Sequence, residues 1–258
     1  MKITALIENT SSFGFPTEHG LSLFVETKDS CFLFDMGQTD RFAKNAHSLG
    51  IDLNAAEFAV LSHGHFDHGG GMRTFLELND HAPVYINQYA FEPHYRGTKE
   101  YIGLDLRLKE SERLRFTDRD VLIRENIILY PCDDAYQVTA SAGTDLLMQK
   151  DGELVEEDFR HEQYLLVKEN GKNILFSGCS HRGILNIMRR FRPDVLIGGF
   201  HFSKFPLDET LADCAKKLDQ YPTVYYTGHC TGTEQYEFMK RYMKHLHYLS
   251  TGEKVVIE

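Results

Sequence analysis

The chain has 258 residues, a net charge of −10, and 42% hydrophobic and 26% charged residues, the usage of an ordinary globular protein. At about 150 residues per domain it holds one or two domains, with room for a sizeable core. The acidic balance argues against a duplex nucleic-acid binder, which needs a basic face, and apolar runs such as Asp194–Phe200 fall far short of the roughly 18 residues of a membrane span.

In chain order, Ile3–Ile7 is the first strand pattern. The surrounding Met1–Asn9 is broken by polar residues and does not read as a signal peptide, so a soluble, cytoplasmic protein is expected. Leu21–Glu26 and Cys31–Phe34 follow as strands joined by the polar turn Thr27–Ser30. Arg41–Leu49 has helical spacing and stops at Gly50. Phe58–Leu61 is a short apolar run ending in Ser62-His63-Gly64-His65; a helix near Met72 and a strand at Pro83–Ile86 come next.

The stretch 92–159 is charge-rich, with strands expected at Val121–Ile123 and Ile127–Tyr130, and is expected as an insertion over a site within a single domain spanning 1–258. Beyond it, Tyr164–Val167 and Asn173–Phe176 flank a Glu-Asn-Gly hairpin signal. Helices are expected over Ile184–Phe191, Glu209–Leu218 and Gln235–His245, with strands at Val195–Ile197 and Val224–Tyr226 between them. Repeatedly, an apolar strand runs into a Gly- or Ser-rich loop that carries histidine. That pattern gathers distant histidines at one edge of a sheet layer, where α/β proteins form ligand sites.

Thirteen histidines are the outlier of the composition. The five cysteines, Cys31, Cys132, Cys179, Cys214 and Cys230, are odd in number and form no Cys-x-x-Cys pair. They point away from a disulfide framework and from a zinc ribbon. The strongest signal is His63-Gly64-His65-Phe66-Asp67-His68. Three imidazoles and a carboxylate in six residues can supply nitrogen ligands to one ion and mixed oxygen and nitrogen ligands to a second, the chemistry of zinc and its first-row neighbours.

This motif resembles the His-x-His-x-Asp-His hallmark of the metallo-β-lactamase superfamily. With Gly178-Cys179-Ser180-His181, Gly198-Gly199-Phe200-His201 and Gly228-His229-Cys230-Thr231-Gly232, it is similar to the branch that holds a dihydropterin–ribofuranosylaminobenzene-phosphate synthase and proteins called metal-dependent hydrolases. The resemblance implies an α/β (α+β) chain folded as an αββα four-layer sandwich, with two divalent metals at one edge of its sheets. Zinc is the expected metal, with manganese, iron and magnesium as alternatives. It implies His63, His65 and His181 on the first metal and Asp67, His68 and His229 on the second, with Asp35 orienting the ligand loop by hydrogen bonds. The sequence departs from the superfamily where a bridging aspartate is expected, because Cys179 stands there. The favoured expectation is that His181 completes the first site with no protein carboxylate bridging the metals; the alternatives for Cys179 are a thiolate ligand or a small core residue, and occupancy of the second site is left open.

Asp67 and His201 are the candidate proton-transfer residues, and Arg182 and His201 the candidates to bind a substrate phosphate; Arg96 and Arg107 are further cations for that role. His161, Glu162 and His19 are expected near the metals. His47, His81 and His94 show no pattern, and His245 with His247 read as the solvated end of a polar helix. The default chemistry is hydrolysis of an ester, lactone or phosphoester of a small molecule, phosphorylated substrates included. The branch also implies a transferase that joins a pterin pyrophosphate to a ribosyl-aminobenzene phosphate; a reading from another class is an iron-dependent dioxygenase. A homo-oligomer acting on a small molecule, with no nucleic acid or membrane partner, is expected.

Overall fold

The computed structural model describes residues 1–132 and 145–258. Two seven-stranded sheets face each other, and helices cover the outer face of each. The first sheet runs Lys254–Val256, Lys2–Ile7, Ser22–Glu26, Cys31–Phe34, Phe58–Val60, Val84–Asn87, Leu114–Thr117. The second runs Leu246–Tyr248, Val224–Thr227, Val195–Gly198, Lys172–Gly178, Gln163–Glu169, Ile127–Pro131, Val121–Arg124. This is the αββα sandwich expected from the sequence.

Each layer follows from side chains alternating across a strand. Along Phe32-Leu33-Phe34, the phenylalanines face the opposite sheet, where both meet Phe176 at centroid distances of 5.8 and 5.4 Å. Leu33 points the other way, into a cluster with Phe42 of helix Arg41–Ser48 and Phe75 of helix Met72–Leu78. Burying each such side chain contributes about 1.5–3 kcal/mol. On the second sheet Leu175, Leu196 and Tyr225 face helices Ile184–Phe191, Glu209–Leu218 and Thr233–Met239. Asp208 caps the second of these, accepting from Thr210 N at 2.9 Å and Leu211 N at 3.4 Å. Gly50, at φ +72°, ends helix Arg41–Ser48 where the sequence places the stop.

The stretch 92–159 divides. Leu114–Thr117 pairs in parallel with Val84–Asn87, and Val121–Arg124 and Ile127–Pro131 extend the second sheet, so these parts belong to the sandwich. His94–Arg96, Glu100–Tyr101, Leu146–Lys150 and Glu153–Glu156 form a separate four-stranded sheet. The last helix is shorter than expected and ends at Met239. Met239, Met243 and Leu246 keep an apolar spacing close to helical, but the backbone at Leu246 pairs with Tyr225 and becomes an edge strand. His247 consequently stacks on Tyr226 at 5.1 Å instead of ending a polar helix. Among the described residues, no helix is long and apolar enough to cross a membrane.

Candidate metal centre

Five strands from both sheets end at the same edge, and each passes into a segment carrying a candidate residue. Cys31–Phe34 leads to Asp35, Phe58–Val60 to His63, Lys172–Gly178 to Cys179 and His181, Val195–Gly198 to His201, and Val224–Thr227 to His229. Asp35, Ser180, His201 and His229 hold φ between 47° and 58°. Such a conformation costs a non-glycine residue about 1–3 kcal/mol and persists only where its surroundings impose it. A Cβ at Gly64 would run into the Ala90 carbonyl, which explains glycine between His63 and His65. The sequence places the whole motif in a loop, but Phe66–Gly69 is a helical turn that buries Asp67.

Hydrogen bonds fix which nitrogen of each ring is free. His68 Nδ1 donates to Asp35 Oδ2 at 2.7 Å. Ser62 Oγ donates to the same oxygen, so it accepts from His63 Nδ1 at 2.8 Å. His229 Nδ1 donates to Asn9 Oδ1 at 2.9 Å, an oxygen that also accepts the Gly20 N–H. His65 Nε2 donates to Glu157 at 3.0 Å. The opposite nitrogens, His63 Nε2, His65 Nδ1, His68 Nε2 and His229 Nε2, are turned away from these partners; His229 Nε2 carries a proton toward Asp67 that a bound ion would displace. His68 Nε2 and His229 Nε2 face each other at 3.1 Å, and His63 Nε2 and His181 Nε2 at 3.3 Å. Ligand atoms on a tetrahedral ion with bonds of about 2.0 Å lie roughly 3.3 Å apart, so both pairs fit a shared ion. Asp67 Oδ2 is 3.3 Å from His229 Nε2 and 3.9 Å from His68 Nε2. Cys179 Sγ belongs to both groups, within 4.8 Å of His63 and His181 on one side and of His68 and His229 on the other.

Burial, reinforced by neighbouring imidazoles, pushes His63 and His181 well below the ordinary histidine range and keeps them neutral. Burial also lowers His201 and His19 to about 4. At His229 burial opposes the charge, but the Asp67 carboxylate outweighs it and holds the ring up at about 9. Burial likewise works against the Asp67 anion, yet His68 and His229 keep it well below the usual carboxylate range.

Buried carboxylates hold the ligand segments from behind. Asp35 accepts from Ser62 N, Ser62 Oγ and His68, the orienting role expected for it. Glu162 accepts from His181 N at 2.7 Å and Arg182 N at 3.0 Å. Glu8 accepts the His229 N–H and Tyr248 Oη, and Glu157 accepts from His65. The sequence reading missed Glu8 and Glu157. Glu8 directly follows the first strand and could have been flagged as a carboxylate at a strand end; nothing local marks Glu157.

A cavity of about 390 Å³ opens over these groups. His65, Asp67, His181, His229, Cys179 and His201 reach its wall, as does His19, whose Nε2 is 3.4 Å from Asp67 Oδ2. Arg182 does not line it, contrary to the substrate role expected for it. Its guanidinium donates to the Asp158 carbonyl at 2.6 Å and its backbone N–H goes to Glu162, so it braces the His181 segment. The cations at the cavity are Arg96 and Lys204, set against apolar Phe66, Ile102, Leu146 and Phe205. Arg107 pairs with Asp105 on the surface, and His47 and His81 are exposed. His161 and His94 are buried together behind His65, at 4.2 Å between rings.

An αββα sandwich with histidines, a carboxylate and a thiol converging at one sheet edge defines a hydrolase-type metallo-fold. The family model of the metallo-β-lactamase superfamily matches residues 16–229, and the chain belongs to that superfamily. Its members are enzymes, and the fold implies divalent metal binding. An uncharacterized protein of Methanocaldococcus jannaschii is 30% identical over 212 residues, covering 77% of this chain and 78% of its own. The 7,8-dihydropterin-6-methyl-4-(β-D-ribofuranosyl)-aminobenzene-5′-phosphate synthase of the same organism is 26% identical across 98% of this chain and 95% of its own. Among solved structures, Tm1679, a metal-dependent hydrolase of the β-lactamase superfamily, is 30% identical with a TM-score of 0.83, covering 100% of this chain and 99% of that one. The metallo-β-lactamase fold protein YhfI from Bacillus subtilis shares the fold at a TM-score of 0.63 and 13% identity, over 98% of each chain.

Proposed function

We propose that this chain is a dinuclear metal-dependent hydrolase that cleaves an ester, lactone or phosphoester bond of a small molecule in the cytoplasm. The observation that carries the reading is the convergence of His63, His65, His68, His181 and His229 at an open cavity, four of these rings (all but His181) held from behind by hydrogen bonds. His63, His65 and His181 would hold one ion, Asp67, His68 and His229 the other, and Cys179 lies between the two sets. Divalent ions there, zinc first among them, would supply Lewis-acid chemistry that activates water at neutral pH and polarises a carbonyl or phosphoryl oxygen. His201, neutral above about pH 4, can take a proton from the attacking group or hold one for the leaving group. Lys204 and Arg96 can hold an anionic part of the substrate while Phe66, Ile102 and Phe205 exclude water.

A second reading is favoured by the similarity to the synthase over nearly the whole chain. In it the same residues bind a pyrophosphate leaving group while a pterin carbon is attacked, which also demands stabilised oxyanions. Elemental analysis and activity assays test both. The expected result is two divalent ions per chain, falling on His181→Ala, with turnover of chromogenic esters, lactones or phosphodiesters. Condensation of the pterin pyrophosphate without such turnover would favour the transferase. A chain that takes up no metal on titration would overturn both readings.

A further inference from the structure

Next to the ligand loop lies a second buried cluster, of His65, His94, Glu157 and His161. Glu157 follows the strand Glu153–Glu156 of the small sheet and is 4% exposed. Its Oε1 lies 3.0 Å from His65 Nε2, 2.6 Å from His161 Nε2 and 2.8 Å from His94 Nδ1. His161 Nδ1 in turn accepts the Gly64 N–H at 2.8 Å.

Such a group of three histidines and a glutamate has the composition of a metal site, but its hydrogen bonding argues otherwise. A backbone N–H only donates, so the Gly64 contact occupies the His161 Nδ1 lone pair and places that ring's proton on Nε2, pointing at Glu157. His161 therefore has no lone pair to offer an ion there. Separations of 2.6–3.0 Å are also those of hydrogen bonds, shorter than the roughly 3.3 Å between atoms ligating one tetrahedral ion.

We infer that Glu157 is a positioning residue for the metal centre, acting on the second histidine of the ligand motif. The inference rests on the metal-centre reading proposed above. By accepting the Nε2 proton of His65, Glu157 selects the tautomer whose Nδ1 lone pair faces the site. By accepting from His161, whose other nitrogen takes the Gly64 N–H, it also fixes the backbone between His63 and His65. His94 lies against the same oxygen and limits where the carboxylate can swing. The small sheet is thereby joined to the first ion's ligands through one carboxylate. A carboxylate behind a metal-bound histidine typically changes metal affinity 10–100-fold.

The test measures metal affinity by competition with a chelator, and ring-nitrogen protonation by long-range ¹H–¹⁵N NMR, on the full chain and on Glu157→Gln. A glutamine oxygen can still accept from one ring, but its NH₂ opposes the other ring's N–H. The expected result is a first-site affinity about 10–100-fold lower in the variant, with the second site changed much less. In the metal-free wild type His65 is expected to carry its proton on Nε2, and in the variant to lose that fixed tautomer. A wild-type His65 protonated on Nδ1 overturns the inference even if the variant does not fold. So does a variant that keeps both affinities, or a third bound equivalent in the wild type that is lost on Glu157→Gln. Wild-type protein that binds no metal overturns the metal centre itself, whereas two bound ions with an indifferent Glu157→Gln overturn only the positioning role.

Discussion

Cys179 Sγ lies 3.2 Å from His68 Nε2, while the opposite nitrogen of that ring is held by Asp35 at 2.7 Å. The thiol is grouped with the candidate ligands of both ions. Burial pushes the thiol well above its usual range in the metal-free chain; coordination to a cation would remove that proton outright.

Cobalt substitution tests this directly. Protein loaded with Co(II) is expected to show an intense near-ultraviolet thiolate-to-cobalt charge-transfer band, absent in Cys179→Ser, whose d–d bands persist. Cys230 neighbours Cys179 and donates toward its carbonyl at 3.5 Å, so Cys230→Ser is the control that keeps the band. A Cys179→Ser spectrum identical to wild type would show that the thiol is only a packing group.

Substrate charge should be read by Lys204. Its ammonium reaches the cavity and pairs with Asp145 at 2.7 Å in an exposed contact. Lys204→Ala is expected to raise KM for anionic substrates by up to about tenfold, the scale of a partly screened ion pair, and to leave kcat and neutral esters nearly unchanged. Steady-state kinetics on matched neutral and phosphorylated substrates provides the check. Equal losses on both would remove Lys204 from substrate recognition.

Stability of the metal-free protein should peak near pH 6.5. Burial holds His201 near 4 and His161 near 3, below the ordinary 6.5. The unfolded chain therefore takes these protons first, and stability falls as pH drops below about 6.5. Burial opposes the His229 charge but Asp67 raises that ring to about 9. Its contribution is complete below about 6.5 and is lost as pH rises through about 9. Urea midpoints of chelator-treated protein from about pH 5 to about pH 9 would show the maximum. A midpoint rising steadily with pH would contradict the His229–Asp67 pairing.

The amino-acid sequence determined the layers and most of the centre. Period-2 apolar strands such as Phe32–Phe34 and period-3.6 helices such as Ile184–Phe191 depend on local geometry, which sequence spacing encodes. The candidate ligands were legible for a related reason: His63 to His68 are neighbours in the chain, and His181 and His229 each follow an apolar strand. Tertiary structure alone decided what stands behind them. Glu157 reaches His65 across 92 positions and Glu8 reaches His229 across 221, separations at which no periodicity survives. Arg182 was misread for the same cause, since its place beside His181 in sequence says nothing of the Asp158 carbonyl that holds it beneath the loop. The final helix is shorter than its spacing predicts, because the apolar pattern continues to Leu246 while strand pairing with Tyr225 claims the backbone. Ligand types were written locally; their tautomers and their supporting carboxylates came from long-range contacts.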